Sequence, residues 1–239
     1  MVDMSEMLGV LIGEKHTYKD WNLGWTGITI SFPEAKTKLV DLPGGNGSID
    51  LSTALTGGDV KYKERTISLT FSARDQDFYE WPILISEIAN YLHGEKVKIV
   101  LDIDPIFYYY GRLAIDPTKT DKAESTITIT GTCDPYKYEL YSSLEEQPVE
   151  YMNNPNVIAR NYKNINVNGT YSMNIVGRRM PVVLTLECSA EMTLKHEEAT
   201  YKLPKGKSIV FDIMLTEGNN NLTFEGTGTI SIDYRGGEL

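Results

Sequence analysis

The 239-residue chain is poor in the residues that most often carry chemistry. It has two cysteines and three histidines. Cys133 and Cys188 form no framework of even spacings, so free thiols and synthesis in a reducing compartment are expected, with both side chains acting as small buried hydrophobes. His16, His93 and His196 do not lie at metal-ligand spacing from another His or Cys, and no metal site is expected. No stretch approaches the ~20 apolar residues of a membrane helix, so no membrane insertion is expected. Residues 1–13 carry Asp3 and Glu6 and no basic segment, which does not read as a signal peptide; assembly in a cytoplasm is the expectation. Basic residues are also in deficit. Lys and Arg number 23 against 33 Asp and Glu, a net charge of −10. That balance argues against sequence-independent binding to DNA or acidic membranes, which needs clustered cations.

Motifs of nucleotide chemistry and covalent catalysis are missing as well. Pro43-Gly44-Gly45-Asn46-Gly47-Ser48 is glycine-rich, but no G-x-x-x-x-G-K-[ST] pattern or periodic helix follows, so it reads as a flexible turn. There is no G-x-S-x-G elbow. The carboxylate pairs Asp102/Asp104 and Glu197/Glu198 could serve a glycosidase in principle, yet they read as solvated turn residues. Asn168-Gly169-Thr170 and Asn221-Leu222-Thr223 match glycosylation sequons but, without a secretory signal, mark only turns. No catalytic residue and no cofactor is expected.

What is abundant points to β structure: 20 Gly, 10 Pro, 15 Tyr and many Thr-Ile alternations. Residues 21–32 hold a strand candidate with Ile28, Ile30 and Phe32 on one face, and Lys36 to Leu42 suits another short strand. From Arg65 to Phe71, Ile67, Leu69 and Phe71 alternate with polar residues. One helix is expected over 79–92, because Trp81, Leu84, Ile85, Ile88 and Leu92 form a single apolar stripe. Pro82 suits its first turn, Asp75 and Asp77 its positive end, and Gly94 its stop. The stripe must cover one face of a sheet. Residues 92–139 then read as a three-stranded meander. Val97, Ile99, Leu101 and Ile103 alternate, Asp104-Pro105 ends that run, and the chain returns with Phe107, Tyr109, Gly111, Leu113 and Ile115 inward. Tyr108, Tyr110 and Arg112 are expected on the other face. Outward tyrosines are favoured at protein interfaces, so Tyr108 and Tyr110 are candidate contacts with a partner or second copy. Thr126 to Thr130 is the third strand, and Cys133-Asp134-Pro135-Tyr136-Lys137-Tyr138-Glu139 closes the unit.

After Glu139 the composition shifts. Residues 140–147 are a polar linker. Short runs follow at 157–162, 165–167, 172–176, 182–188, 192–196, 208–215, 221–224 and 229–234, punctuated by Gly169, Pro204-Lys205-Gly206, Gly218-Asn219-Asn220 and Gly226. This spacing reads as a β-sandwich or jelly roll. Tyr162, Tyr171 and Tyr201 could stack on sugar rings or simply be sheet residues, and Tyr162 and Tyr201 are the candidate glycan contacts. The fold class is therefore mainly β: an N-terminal β-sandwich carrying one α-helix over 1–139, plus a C-terminal β-sandwich or jelly roll over 140–239.

The order helix, Leu92-His93-Gly94, strand, Asp104-Pro105, aromatic run, Tyr110-Gly111-Arg112, strand, Cys133-Asp134-Pro135-Tyr136-Lys137-Tyr138 resembles the distal tail protein (Dit) family of long, flexible-tailed bacteriophages. Leu42 to Ser52 and Tyr62 to Phe71 agree upstream, and the likeness is strongest over residues 10–139. Leu215 to Phe224 and Ile230 to Arg235 look like the closing strands of that family's galectin-like domain. The resemblance implies a homohexameric ring at the tail tip or baseplate of the virion, made in the host bacterial cytoplasm. Its N-terminal domains would form the ring and its C-terminal domains the periphery. Its partners would be copies of itself, the major tail tube protein, the tail-associated tip protein and a receptor-binding protein, with phage DNA passing through the lumen. A different reading is a carbohydrate-binding module that reads host cell-wall glycans through the second sandwich.

Overall fold

The computed structural model describes residues 8–73, 80–119, 125–152 and 154–239. The chain is mainly β, built from antiparallel sheets, with one α-helix among the described residues. It divides into two compact units, Met1–Pro135 and Tyr136–Leu239.

The first unit contains β1 (Val10–Ile12), β2 (Lys15–His16), β3 (Gly24–Ile30), β4 (Leu39–Asp41), β5 (Ser48–Asp50), β6 (Arg65–Ser72), α1 (Trp81–Leu92), β7 (Lys96–Leu101), β8 (Asp104–Lys119) and β9 (Ser125–Cys133). Its main sheet runs β2-β1-β7-β8-β9-β6-β3. Alternation sets the two faces. Ile67, Leu69 and Phe71 of β6 lie level with Gly131, Ile129 and Ile127 of β9 and point into the core. Thr66, Ser68 and Thr70 oppose Thr132, Thr130 and Thr128 on the other face. The helix closes the apolar side. Ile88 and Leu92 are fully buried, and each contributes about 1.5–3 kcal/mol by leaving water. Leu84, Ile85 and Tyr91 pack against the same core while only partly buried, and Trp81 is also half-buried. Pro82 occupies the first turn. Gly94 follows the C-cap His93 at φ +84° and returns a hydrogen bond to the Leu113 carbonyl at 2.8 Å. The helix starts at Trp81 rather than 79, with Glu80 as an N-cap that makes no side-chain bond. Asp75, Asp77 and Tyr79 lie outside the described residues.

The meander departs from simple alternation at its first turn. Leu101 pairs with Asp104, so the turn is Asp102-Ile103, and Asp104-Pro105 opens β8 instead of ending the run. Ile103 is exposed at the tip. The next pair is Ile99 with Tyr109, which leaves residues 105–108 opposite Val100 alone. This bulge breaks the alternation. As a result Ile106, Phe107, Tyr108 and Tyr109 are all buried, and only Tyr109 of the four joins the unit's main core.

The second unit contains β10 (Lys137–Glu139), β11 (Ile165–Gly177), β12 (Val182–Cys188), β13 (Met192–His196), β14 (Ala199–Leu203), β15 (Gly206–Leu215), β16 (Gly218–Asp233) and β17 (Gly237–Glu238). β16 is its spine. β11 pairs along it from Ile165↔Ile230 to Gly177↔Gly218. On the opposite edge β13 takes Thr223–Gly226 and β12 takes Ile230–Asp233. The strand passes from one partner to the other at Gly226 and Gly228, both at φ near +150°. A Cβ on Gly228 would come within 2.6 Å of the Ser189 hydroxyl, so the crossing requires glycine. Leu186 against Ile232 and Leu194 against Phe224 fill the interior. Two pairs of expected short strands, at 165–167 with 172–176 and at 221–224 with 229–234, are single long strands. Residues 157–162 are not a strand, and β14 was not anticipated.

Candidate functional site

The first unit carries an arm that none of the packing above explains. Residues 34–64 leave the sheet after β3 and return at β6 as a ribbon. At its root Lys63 and Glu34 are bonded through the backbone and through a 2.8 Å ion pair, and Lys36 N–H donates to the Lys61 carbonyl at 2.7 Å. Ala35 bridges Tyr62. Farther out, β4 and β5 form a separate two-stranded sheet around the turn 42–47, with Val40 opposite Ile49. Its apolar side chains are uncovered. Leu55 is 99% exposed and Leu39 60%, while Leu42, Ile49, Leu51 and Val60 are also exposed. None of them belongs to either core cluster. An isolated two-stranded ribbon is marginal in water. The exposed side chains lie on both faces of the ribbon, Val40 and Ile49 on one and Leu39 on the other, and uncovered apolar side chains in such number mark an interaction surface. The arm falls where the sequence suggested only a short strand and a glycine-rich turn. The signal that could have found it is the run of isolated aliphatics without a complete period.

The sequence candidates lie elsewhere and are not gathered into one site. Tyr108 is 9% exposed, so it is not an outward ring; Lys98 Nζ lies 4.8 Å from its centroid. Tyr110 is half-buried, with Lys96 Nζ 4.7 Å from its ring. Beside it lies an open groove of about 630 Å³, lined in part by Lys96, Arg112, Thr132 and Asp134. Its charges are taken up locally: Lys96 pairs with Asp134 at 2.9 Å, and Arg112 donates to the Gly94 carbonyl. In the second unit Tyr162 stacks on Tyr234 at 6.2 Å and packs against the core. Tyr201 also packs there and lies level with Leu194, which pairs with Phe224. Tyr162 instead receives the Ile232 N–H, at the other end of β16, so the two rings do not make one platform. Tyr171 is exposed.

Other polar groups do structural work. Asp102 is no free turn carboxylate: it accepts from Gly9 N–H at 2.8 Å and from His16 Nε2 at 3.0 Å. His16 Nδ1 accepts two backbone N–H bonds, from Tyr18 and Lys19, which places the ring proton on Nε2. Cys133 and Cys188 are free and buried, and burial pushes the Cys133 thiol up to about 12. In the second unit Glu139 is held by Arg160 at 2.5 and 2.8 Å and by Arg178, which also pairs with Glu238. Gly236 N–H donates to the same carboxylate at 2.9 Å. The cluster clasps residues 137–139, 160, 178 and the C-terminal strand together. Burial raises the Glu139 carboxyl, but the bonds and charges of the two arginines outweigh it and hold the group below the usual carboxylate range. Among the described residues no three His, Cys, Asp or Glu side chains converge as a metal site, and no helix is long and apolar enough to cross a membrane.

No family model matches the chain, and no curated protein matches it. Among solved structures it is similar to the crystal structure of the SPP1 Dit protein (gp 19.1), described as a paradigm of the hub adsorption apparatus in phages that infect Gram-positive bacteria. The TM-score is 0.61 at 14% identity, covering 98% of this chain and 100% of that one. The chain thus has a Dit-like fold.

Proposed function

We propose that the protein is a structural component of a phage tail tip that assembles with copies of itself into a ring. The observation that carries this reading is the arm: its exposed leucines and isoleucine have no core of their own and need a surface to cover them. The full-length likeness to a tail hub protein supports the setting, a virion tail. In this reading the first unit forms a homohexameric ring and the arm of each copy lies on its neighbour. The second unit sits at the periphery. The ring joins the tail tube protein to the tip and receptor-binding proteins, and DNA passes through its lumen. A net charge of −10 suits that passage, because a basic wall would hold phosphates by counterion release. Size-exclusion chromatography with light scattering and negative-stain micrographs of the full chain test the reading. Closed rings support it, and a strict monomer at tens of micromolar refutes it.

A further inference from the structure

Beside the root of the arm lies a cation without a counter-charge among the described residues. Arg65 opens β6 and is 2% exposed. Its guanidinium carbon sits 5.6 Å from the Tyr109 ring and 5.9 Å from the Phe32 ring. Nε and Nη2 are both buried and have no hydrogen-bond partner among the described residues. These two nitrogens share one edge of the guanidinium and point their N–H groups in parallel, the geometry that grips a carboxylate with two bonds. The titratable groups acting on Arg65 are Tyr109, which also shares a side-chain hydrogen bond with the guanidinium, and Cys133. Burial raises both, so both are neutral at physiological pH and neither supplies a negative charge. A buried charge in this state is among the most unfavourable arrangements a fold can hold.

Phe32 is the ring nearest to solvent. It stands just before the arm and is 80% exposed although it lies over the guanidinium. Little packing is lost when so exposed a ring moves, and the unpartnered edge of the guanidinium is chemically suited to an anion. The surface that arrives there in an assembled ring is another copy of this chain, in which acidic residues outnumber basic ones by 33 to 23.

We propose that Arg65 is an assembly site: its free edge receives a carboxylate from a second copy, with Phe32 displaced to admit it. The inference rests on the ring reading and deepens it, because it assigns the arm's neighbour a polar anchor in addition to apolar cover. Arg65 would then be a charge left open in the single chain and satisfied only in the assembly. That arrangement ties correct docking to relief of an internal penalty.

The test uses the full chain in four forms: wild type, Arg65→Met, Arg65→Lys, and the arm variant Leu39→Ser/Ile49→Ser/Leu55→Ser. Sedimentation velocity over a concentration series reads self-association, and melting at a concentration where the chain is monomeric reads the fold. Arg65→Met and Arg65→Lys are each expected to weaken self-association by roughly thirtyfold or more, the scale for truncating one partner of a buried interfacial charge pair. Monomer melting should stay level in Arg65→Lys and stay level or rise in Arg65→Met, which removes the unpaired charge. If both variants assemble like wild type, the proposal is overturned while the ring reading stands. If both lose monomer stability, the guanidinium works within the chain, and the proposal is likewise overturned. If wild type does not associate and the arm variant behaves identically, the ring reading fails and takes this one with it.

Discussion

Replacing Leu39, Ile49 and Leu55 together by serine separates assembly from folding. Fully burying a leucine or isoleucine contributes about 1.5–3 kcal/mol. These three still have 60, 45 and 99% of their surface to lose. Scaled by those fractions, a neighbour that covers them gains about 4 kcal/mol, close to a thousandfold in the dissociation constant at roughly 1.4 kcal/mol per tenfold. Ordering of the arm on docking reduces that figure, so a loss of at least ~10-fold is the floor expected. A closed ring makes the contact once per copy and should respond more steeply than any single contact. The isolated chain should hardly notice, because none of the three touches a core cluster and surface changes usually stay within about 0.5 kcal/mol. Mass photometry across a dilution series measures the first effect, and circular dichroism melting of the monomer measures the second. Association unchanged within about twofold, or a monomer melting several degrees lower, would refute the argument that this surface is built for a partner.

Glu139→Gln should destabilise the second unit by about 3–5 kcal/mol, since it leaves Arg160 and Arg178 buried without their shared carboxylate. Because the folded carboxyl titrates below its unfolded value, its stabilisation is complete above the ordinary carboxylate range and fades as pH falls through the folded value. Melting temperature against pH should therefore fall on acidification in wild type and less steeply in Glu139→Gln. In Gly111→Ala, the new Cβ would lie 2.4 Å from Cys133 Sγ and 2.7 Å from the Thr132 carbonyl oxygen; a loss of about 1–3 kcal/mol in chemical denaturation is expected. A thiol reagent such as DTNB should titrate neither Cys133 nor Cys188 in native protein at pH 8 and both after unfolding, because both are buried and burial raises both thiols.

Much of the β character is local and readable. Strands β12 and β13 occupy the residues that alternation marks, because a strand with one buried face writes a period of two into its own sequence. The helix is legible for the same reason at a period of 3.6, and Pro82 and Gly94 bracket it. The bulge that buries Phe107 and Tyr108 together is not legible, because it is set by how β8 meets β7. The merging of runs into β11 and β16 depends on a ladder that crosses Gly169 and Gly226 without breaking. Tyr162 looks like a strand residue until Tyr234 is placed against it.

The arm and Arg65 show where local pattern ends. By itself the sequence determined which segments are apolar on one side, because burial on one face must recur at the spacing of the backbone. Only the tertiary structure decided which apolar residues find a core and which do not. It also decided that Arg65 is enclosed with two of its nitrogens unpartnered among the described residues. Covering and pairing are relations between segments distant in the chain, and no single segment encodes its neighbours.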